Sequence, residues 1–471
     1  MSDRFTVPGL SEDEQSWLNS LWSQLREHRP RNLLRSAFYD GKHAARDLGF
    51  MAPQYRSLGL VLGWNAKGVD SLARRSHFED MYWPDGTLTD LGYREFADAN
   101  QLAAEIRAGQ VNSLVHGVSF LINTTGDPDQ GEPSSLLHVK DALNATGVWN
   151  PRKRSLDAAL SVHAWEERES GRGDRPRSFT LYLDGLTVTC ERVPGSGWSI
   201  DRQGHRWGVP VEPLKYKPGP RPFGQSRITR VTMSLQDAGV RVLRRMEGHN
   251  DIFSLPQMAI LGASEDIFKN ADGSQMTKWQ IALGRALGIP DDDDQANPRA
   301  DVKQFPASSP EPHLAALNAF AKLAAREFSL PDVALAITDL SNPVSAEAYV
   351  ASNDDLIAEA EGATDDWALP IRRAVARGLA IQNGEADIPE LSTLGVQWRP
   401  AVHLSRAAAA DAGMKQLAVA PWLAETEVGL ELLGLDKSQR ERALAERARA
   451  QGRSTLESIL AGVSTTDALS D

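Results

Sequence analysis

The sequence predicts an α+β protein with more than one domain. Apolar residues recur at helical spacing near the N-terminus, where Trp17, Leu18, Leu21, Trp22 and Leu25 share a face, and again beyond residue 310. Between residue 111 and the Pro-rich stretch near 217, the pattern becomes that of strands separated by Gly, Pro, Asp and Ser clusters. The chain has 471 residues. That is too many for one core, so roughly two to four domains are expected.

Taken in order, residues 10–47 predict a helix. The stretch LGLVLGWNAKGVDSLARRSHFED predicts a second helix running into a short strand, HFEDMYW. Residues 88–110 predict another amphipathic helix. The segments VNSLVHGVSFLINTT, SSLLHVKDALNATGVWN, LDAALSVHAWEE, RSFTLYLDGLTVTCERV and GWSIDRQGHRW predict a β-rich module of roughly five or more strands. ESGRGDRPRS reads as a solvated hairpin tip, and its Arg172-Gly173-Asp174 triplet as a chance occurrence.

A strand over VPVEPL leads into a basic, Pro-rich turn. Ser226 is the expected cap of the next helix and Gly248 its stop. The expected apolar stripe is Ile228, Val231, Leu235, Ala238, Val242 and then Arg245 or Met246. Arg227, Arg230, Arg241, Arg244 and Arg245 are placed on its other faces. Residues 252–309 mix short strands, loops and the helix TKWQIALGRALG. Leu314, Leu317, Ala321, Ala324 and Phe328 then define a helix with a narrow apolar face.

Pro331 and Pro343 bound a polar turn holding Asp332, Thr338, Asp339, Ser341 and Asn342. Ser345 is the expected cap of a long helix, and Pro370 is expected to kink or end it before IRRAVARGLA resumes. A strand at Val396–Arg399 and three helices follow. Gly434 is the expected stop of one helix and Asp436 the cap of the last. A polar tail from about 464 is expected to be disordered.

Composition excludes several functions. There are 51 basic and 63 acidic residues, a net charge of -12. Tight grip on nucleic acid usually needs a basic excess, so DNA is not expected to be held firmly. No apolar run reaches about eighteen residues, so no membrane span is predicted. The acidic N-terminus does not read as a signal peptide. A single cysteine, Cys190, excludes an internal disulfide framework and reads as a core residue. The ten histidines are scattered, and no phosphate-loop, dinucleotide or nucleophile-elbow motif occurs. Asp291, Asp292, Asp293 and Asp294 form an acidic run, but the Gly and closing Glu of a calcium loop are missing. No catalytic residue, cofactor or metal is therefore assigned.

Several stretches resemble the portal proteins of tailed bacteriophages, in particular those of siphophages of Gram-positive and actinobacterial hosts. Tyr39-Asp40-Gly41-Lys42 is similar to the family's early Y-x-G turn. Asn65, Val69, Asp70, Ala73 and Arg74 match its Asn followed by a Val-Asp-x-x-Ala-x-Arg helix. Gly117-Val118-Ser119-Phe120 resembles its G-x-(A/S)-F strand, and the strand at Val396–Arg399 its late V-x-W strand. The V-P-V-x-P-L strand with its basic turn and G-x-S-x-I is the most specific match. EFSLPDVALAITDLSNPVSAEAYVASNDDLIAEAE resembles the family's stem-end turn, projecting loop and long kinked helix.

The resemblance implies a portal fold. Residues 1–225 would form N-terminal helices and a β-rich wing. Residues 226–251 would be a stem helix, 252–309 the clip, and 310–328 a second stem helix. Residues 329–343 would be a channel loop. Residues 344–400 would hold a kinked long helix and a wing strand, 401–463 a helical crown, and 464–471 the tail. The two stem helices are expected to pack antiparallel. Arg227, Arg230, Leu235, Arg241, Arg244, Leu317 and Phe328 are the expected intersubunit residues. The clip run Asp291–Asp294 is expected to dock partners, and the loop to meet DNA sterically.

The implied assembly is a dodecameric ring at one capsid vertex, built in the host cytoplasm. Its implied partners are further copies of itself, terminase, a head-tail connector, major capsid and scaffolding proteins, and double-stranded DNA that passes without tight binding. No membrane is implied. Two alternatives come from other classes: a ring-forming head-tail adaptor without a conducting channel, and an uncharacterised hydrolase. Images of the particle separate them, because only the portal reading requires a ring with an axial hole.

Overall fold

The structure is a computed structural model that describes residues 5–45, 59–168, 171–253, 257–261, 274, 301–305, 308–337, 351–402 and 406–467. The chain divides into two compact units. One comprises Met1–Ser76 and Tyr82–Gly395, the other His77–Met81 and Val396–Asp471.

In the larger unit, helix α1 (Glu12–Tyr39) opens with a capping box. Ser11 Oγ accepts from the Glu14 amide, and Glu14 accepts from the Ser11 amide. The helix ends at Tyr39, short of the expected residue 47, at an Asp40-Gly41 turn. Its apolar face is the one read from the sequence, with Leu18, Leu21, Trp22 and Leu25 buried. Helix α2 (Trp64–Arg75) follows, and then strand β1 (Phe78–Tyr82), which passes into the smaller unit.

The helix expected at 88–110 is broken. A 3-10 turn at Leu88–Leu91 precedes α3 (Tyr93–Ala99) and α4 (Leu102–His116). Gly92 and Gln101 both adopt positive φ, 68° and 48°, and each breaks the helical path. Residues 111–116 complete α4 and do not begin a strand. Gly117, at φ 98°, makes the turn from helix into strand that any side chain would strain.

The β-rich module contains eight strands in two antiparallel sheets. These are β2 (Val118–Thr125), β3 (Ser135–Asp141), β4 (Ala145–Asn150), β5 (Ser155–Arg168), β6 (Gly171–Leu183), β7 (Leu186–Val193), β8 (Gly197–Gly204) and β9 (Val211–Lys215). The order β3-β2-β9 makes one sheet, and β4-β5-β6-β7-β8 the other. SSLLHVKDALNATGVWN thus divides between two sheets, and RSFTLYLDGLTVTCERV folds back at Asp184-Gly185. The stretch read as a hairpin tip lies at the β5–β6 hairpin, but the ladder runs further into it than expected, with Glu167 opposite Arg172 and Arg168 opposite Gly171.

β2 is buried on both faces, which is why VSFLIN lacks clean polar alternation. Val118, Phe120 and Ile122 pack with Tyr182, Leu156 and Val211 between the sheets. On the opposite face, Ser119 Oγ donates to the Gly109 carbonyl of α4 (2.7 Å). Leu18, Leu21, Trp22 and Leu25 of α1 cover the five-stranded sheet at Phe179, Leu181, Val188 and Cys190. Burial pushes the Cys190 thiol up to about 12, so it stays protonated as a core residue.

After the sheets come α5 (Arg230–Phe253), β10 (Gln257–Leu261), β11 (Asp301–Phe305), α6 (Glu311–Glu327) and α7 (Asp354–Gln382). Thr229, not Ser226, caps α5. Its Oγ1 accepts from the Thr232 amide (3.2 Å) and its amide donates to Thr232 Oγ1 (3.0 Å). Gly248 does not stop α5, which runs on to Phe253. Residues Ser352–Asn353 form a turn immediately before α7, where one unbroken helix was expected. The Ser345 cap lies outside the described residues. α7 continues through Pro370 and packs on the three-stranded sheet, with Asn123 Nδ2 donating to the Ala374 carbonyl (3.1 Å) and Ser135 Oγ to that of Gly378 (2.8 Å).

In the smaller unit, β12 (Gly395–Trp398) pairs with β1; among the described residues this strand, placed in the wing by the sequence, joins neither of the larger sheets. Helices α8 (Arg406–Val419), α9 (Glu427–Leu432) and α10 (Lys437–Asp467) follow. Gly434 turns the chain after α9 at φ 79°. Asp436 Oδ1 caps α10 by accepting from the Gln439 amide (2.9 Å). Arg440, nearly buried, pairs with Glu79 (3.4 Å) and Glu427 (3.6 Å). The helix includes residues 464–467, which were assigned to a disordered tail.

Phe179 tests the packing under α1. It is fully buried and meets Phe5 and Trp198 edge-on at 5.7 and 5.6 Å. Phe179→Ala is expected to cost about 3–5 kcal/mol. Urea unfolding followed by tryptophan fluorescence measures it, and a loss below about 1 kcal/mol would contradict this packing.

Candidate functional site at the base of the helix pair

α5 and α6 form an antiparallel pair. At one end the His249 and His313 rings lie 5.1 Å apart, and at the other Arg227 reaches Phe328. Between them Trp64, Val242, Leu317, Ala321 and Ala324 are buried, with Leu235, Leu243 and Phe320 packed against them. The inward face of α5 is turned from the expected stripe. Val231 is half exposed, while Thr232 and Gln236 are buried. These two side chains are satisfied by Asn65. Thr232 Oγ1 donates to Asn65 Oδ1 (2.7 Å), and Gln236 Oε1 accepts from both the amide and the side chain of Asn65 (2.9 and 2.7 Å).

Just before α5, Arg227 is buried and ties four segments together. Its Nε donates to the Gly68 carbonyl of α2 (3.0 Å), its Nη1 to Tyr216 Oη (3.1 Å), and its Nη2 to the Phe328 carbonyl (2.5 Å). Nη1 also lies 2.6 Å from Glu359 Oε2 on α7. Glu359 accepts further bonds from Lys217 Nζ (2.6 Å) and the Tyr216 hydroxyl. Burial opposes the charge on Glu359, but the Arg227 charge and these donors win and hold its carboxyl at about 2. Burial pushes the Tyr216 hydroxyl above its usual range. Gly68 is required here, because a Cβ would sit 2.4 Å from the Phe328 ring.

Beside this node α6 ends in a Schellman motif. The Ser329 amide donates to the Arg326 carbonyl (3.1 Å) and the Leu330 amide to that of Ala325 (2.8 Å). Ser329 takes the left-handed position usually held by glycine, at φ 51°. Pro331 then starts a short 3-10 turn at Asp332–Ala334, and Ile337, 62% exposed, anchors its amide on Asn318 Oδ1 (2.9 Å).

The expected site residues therefore separate. Arg227, Leu317 and Phe328 are buried within the chain, so they do not form an exposed intersubunit face. Arg244 is also buried and donates to the Ala45 carbonyl (3.1 Å). Leu235 is partly buried against α6, Arg241 is half-buried, and Arg230 is exposed. Asp332 pairs with Arg326 at 3.6 Å. Thr338, Asp339, Ser341, Asn342 and the run Asp291–Asp294 lie outside the described residues.

Tyr216, Lys217, Glu359 and Gly68 were missed by sequence reading. Tyr216 and Lys217 sit inside the recognised basic turn, but nothing local marks Glu359 as their partner 142 residues away. Among the described residues no group of three or more His, Cys, Asp or Glu could hold a metal, and no helix is long and apolar enough to cross a membrane.

Removing one member of the buried pair tests this node. Arg227→Met leaves Glu359 buried without its counter-charge and is expected to cost about 3–5 kcal/mol in urea unfolding. The Glu359 contribution is whole above its unfolded value of 4.5 and is lost as pH falls toward 2. Glu14, held at about 2 chiefly by its hydrogen bond from Arg202, titrates in the same window. Glu359→Gln should therefore flatten part of the acid limb of the stability curve. An unchanged limb would show that the pair contributes nothing.

The sequence model of the family described as "Phage portal protein, SPP1 Gp6-like" matches residues 18–452. The chain is 26% identical over 421 residues to the portal protein of Mycobacterium phage L5, covering 87% of this chain and 84% of that one. It is similarly 26% identical over 417 residues to the portal protein of Mycobacterium phage D29, covering 87% and 82%. Similar solved structures include a chain from the neck of a native GTA particle computed with C12 symmetry, with a TM-score of 0.39, 15% identity, and 87% and 99% of the two chains covered. Another comes from the neck of an empty GTA particle computed with C6 symmetry, with a TM-score of 0.39, 16% identity and coverage of 80% and 90%. With a family match across nearly its whole length, the chain belongs to the phage portal proteins of the SPP1 Gp6-like family.

Proposed function

We propose that this chain is the subunit of a closed ring at one vertex of a tailed-phage capsid, through which double-stranded DNA enters and leaves. The observation that carries the reading is the family match across residues 18–452. The α5–α6 pair supports it, because a long antiparallel pair ending at a rigid turn is a suitable post from which a loop can project. In this reading residues 252–309 dock terminase and a connector through Asp291–Asp294, and residues 329–343 face the moving DNA. The role is structural, and no catalytic group is assigned.

The loop would act by shape and not by adhesion. Residues 329–343 contain Asp332 and Asp339 and no Lys or Arg. Carboxylates repel phosphate, and binding to duplex DNA depends on neutralising phosphates. DNA passing an acidic collar meets a steric surface with little to hold it.

Negative-stain images of the purified chain test the ring. Particles with an axial hole are expected, and compact monomers would sink the reading. The loop is tested by replacing Val333–Leu340 with a Gly-Ser linker and measuring assembly and packaged DNA separately. Rings should form while packaging or retention of DNA falls. Full-length genomes held at the wild-type yield would show that the loop has no such role.

A further inference from the structure

We propose that the C-terminal half of α7 and the groove beside it receive the acidic N-terminal half of α7 from a neighbouring copy of the chain. This rests on the ring reading and names one of its contact surfaces.

The groove measures about 690 Å³ and is lined by Lys153, Arg206, Glu212, Arg372, Arg373 and Arg377, among others. Glu212, nearly buried, is matched by Arg377 at 2.6 Å and Arg373 at 3.9 Å. Arg373 also donates to the Arg154 carbonyl (3.2 Å), and Lys153 pairs with Asp157 (3.2 Å). Arg206 and Arg372 have no hydrogen-bond or ion-pair partner among the described residues. The groove therefore carries an unspent positive charge.

The other half of the same helix is its complement. Asp354, Asp355, Glu361 and Asp365 are exposed, and none has an ion-pair partner among the described residues. The helix dipole accounts for acids in the first turn but not for Glu361 and Asp365. Along one α7, Glu361 and Asp365 lie 11 and 7 residues from Arg372. At about 1.5 Å per residue that is roughly 16 and 10 Å, beyond the reach of a direct ion pair and beyond the screening length in physiological salt. The acids of one α7 therefore leave its Arg372 without a direct partner. A contact from one end to the other end of the next copy is heterologous, the type that closes rings.

A DNA backbone is the less favoured occupant. The groove holds the Glu212 carboxylate and has Asp387 on its lining, and the chain as a whole carries a charge of -12. A phosphate strand would meet those carboxylates, whereas side chains of an acidic helix can pair individually with Arg206 and Arg372.

Charge reversal on the full chain tests the contact, with light scattering and negative-stain imaging as readouts. Arg206→Glu with Arg372→Glu, or Glu361→Lys with Asp365→Lys, should each lower ring formation about tenfold in protein concentration, equivalent to about 1.4 kcal/mol. All four residues lack internal partners, so circular dichroism should stay at the wild-type signal. The fourfold variant should recover rings. Undiminished rings in either double variant, or no recovery in the fourfold one, would overturn the contact while leaving the ring intact. Normal rings that lose retention of duplex DNA would assign the groove to nucleic acid and overturn it too. A wild-type chain that stays monomeric would sink the ring reading, and this contact with it.

Discussion

The buried pair of Arg227 and Glu359 is the constraint on which the middle of the chain depends. One guanidinium fixes the end of α6, the second helix, the end of β9 and the long α7 at a single point. A flexible ammonium could not meet those partners at once, because the planar fork sets three directions together. The pair is largely desolvated, so its value lies less in net stability than in allowing one arrangement only. Gly68 and Phe328 close around it, and the Schellman turn at Ser329 sets the direction in which the chain leaves α6.

Much of the fold was legible because local rules and tertiary packing agree. The apolar face of α1, the V-P-V-x-P strand, α6 and the Asp436 cap stand where the sequence places them. The misses have physical causes. Gly248 lies inside α5, because a lone glycine costs a helix only about 1 kcal/mol and does not by itself end it. α4 absorbed residues 111–116 because VNSLVH is apolar enough for either period, and only Gly117 decides where helix gives way to strand. β2 hides its alternation because α4, α7 and a second sheet cover both its faces.

The site was legible in outline and not in its contacts. The sequence marks the turn after α6 and the basic turn after β9, since prolines and charges punctuate both. It does not say that Arg227 turns inward, because a helix-wheel argument assigns arginine to solvent by default. The carboxylate that reverses this default lies on a helix far along the chain, and Tyr216 joins it from the turn after β9. Distant partners of this kind leave no periodic trace.

This inward turn changes which residues can join copies of the chain. Arg227, Arg244, Leu317 and Phe328 are buried within one chain, so in the proposed ring they would add little to contacts between copies. Of the arginines near these elements, Arg230 at the start of α5 and Arg206 are exposed, and Arg372 on α7 is half-buried. Surface ion pairs contribute little singly, and a ring held only by such pairs would be sensitive to salt. A concave groove raises their value by excluding water and presenting several cations together. In the proposed ring each copy would be fixed internally by buried pairs, while its outward charges would stay free to meet a neighbour. A rigid unit with adjustable edges can repeat around an axis without deforming its core.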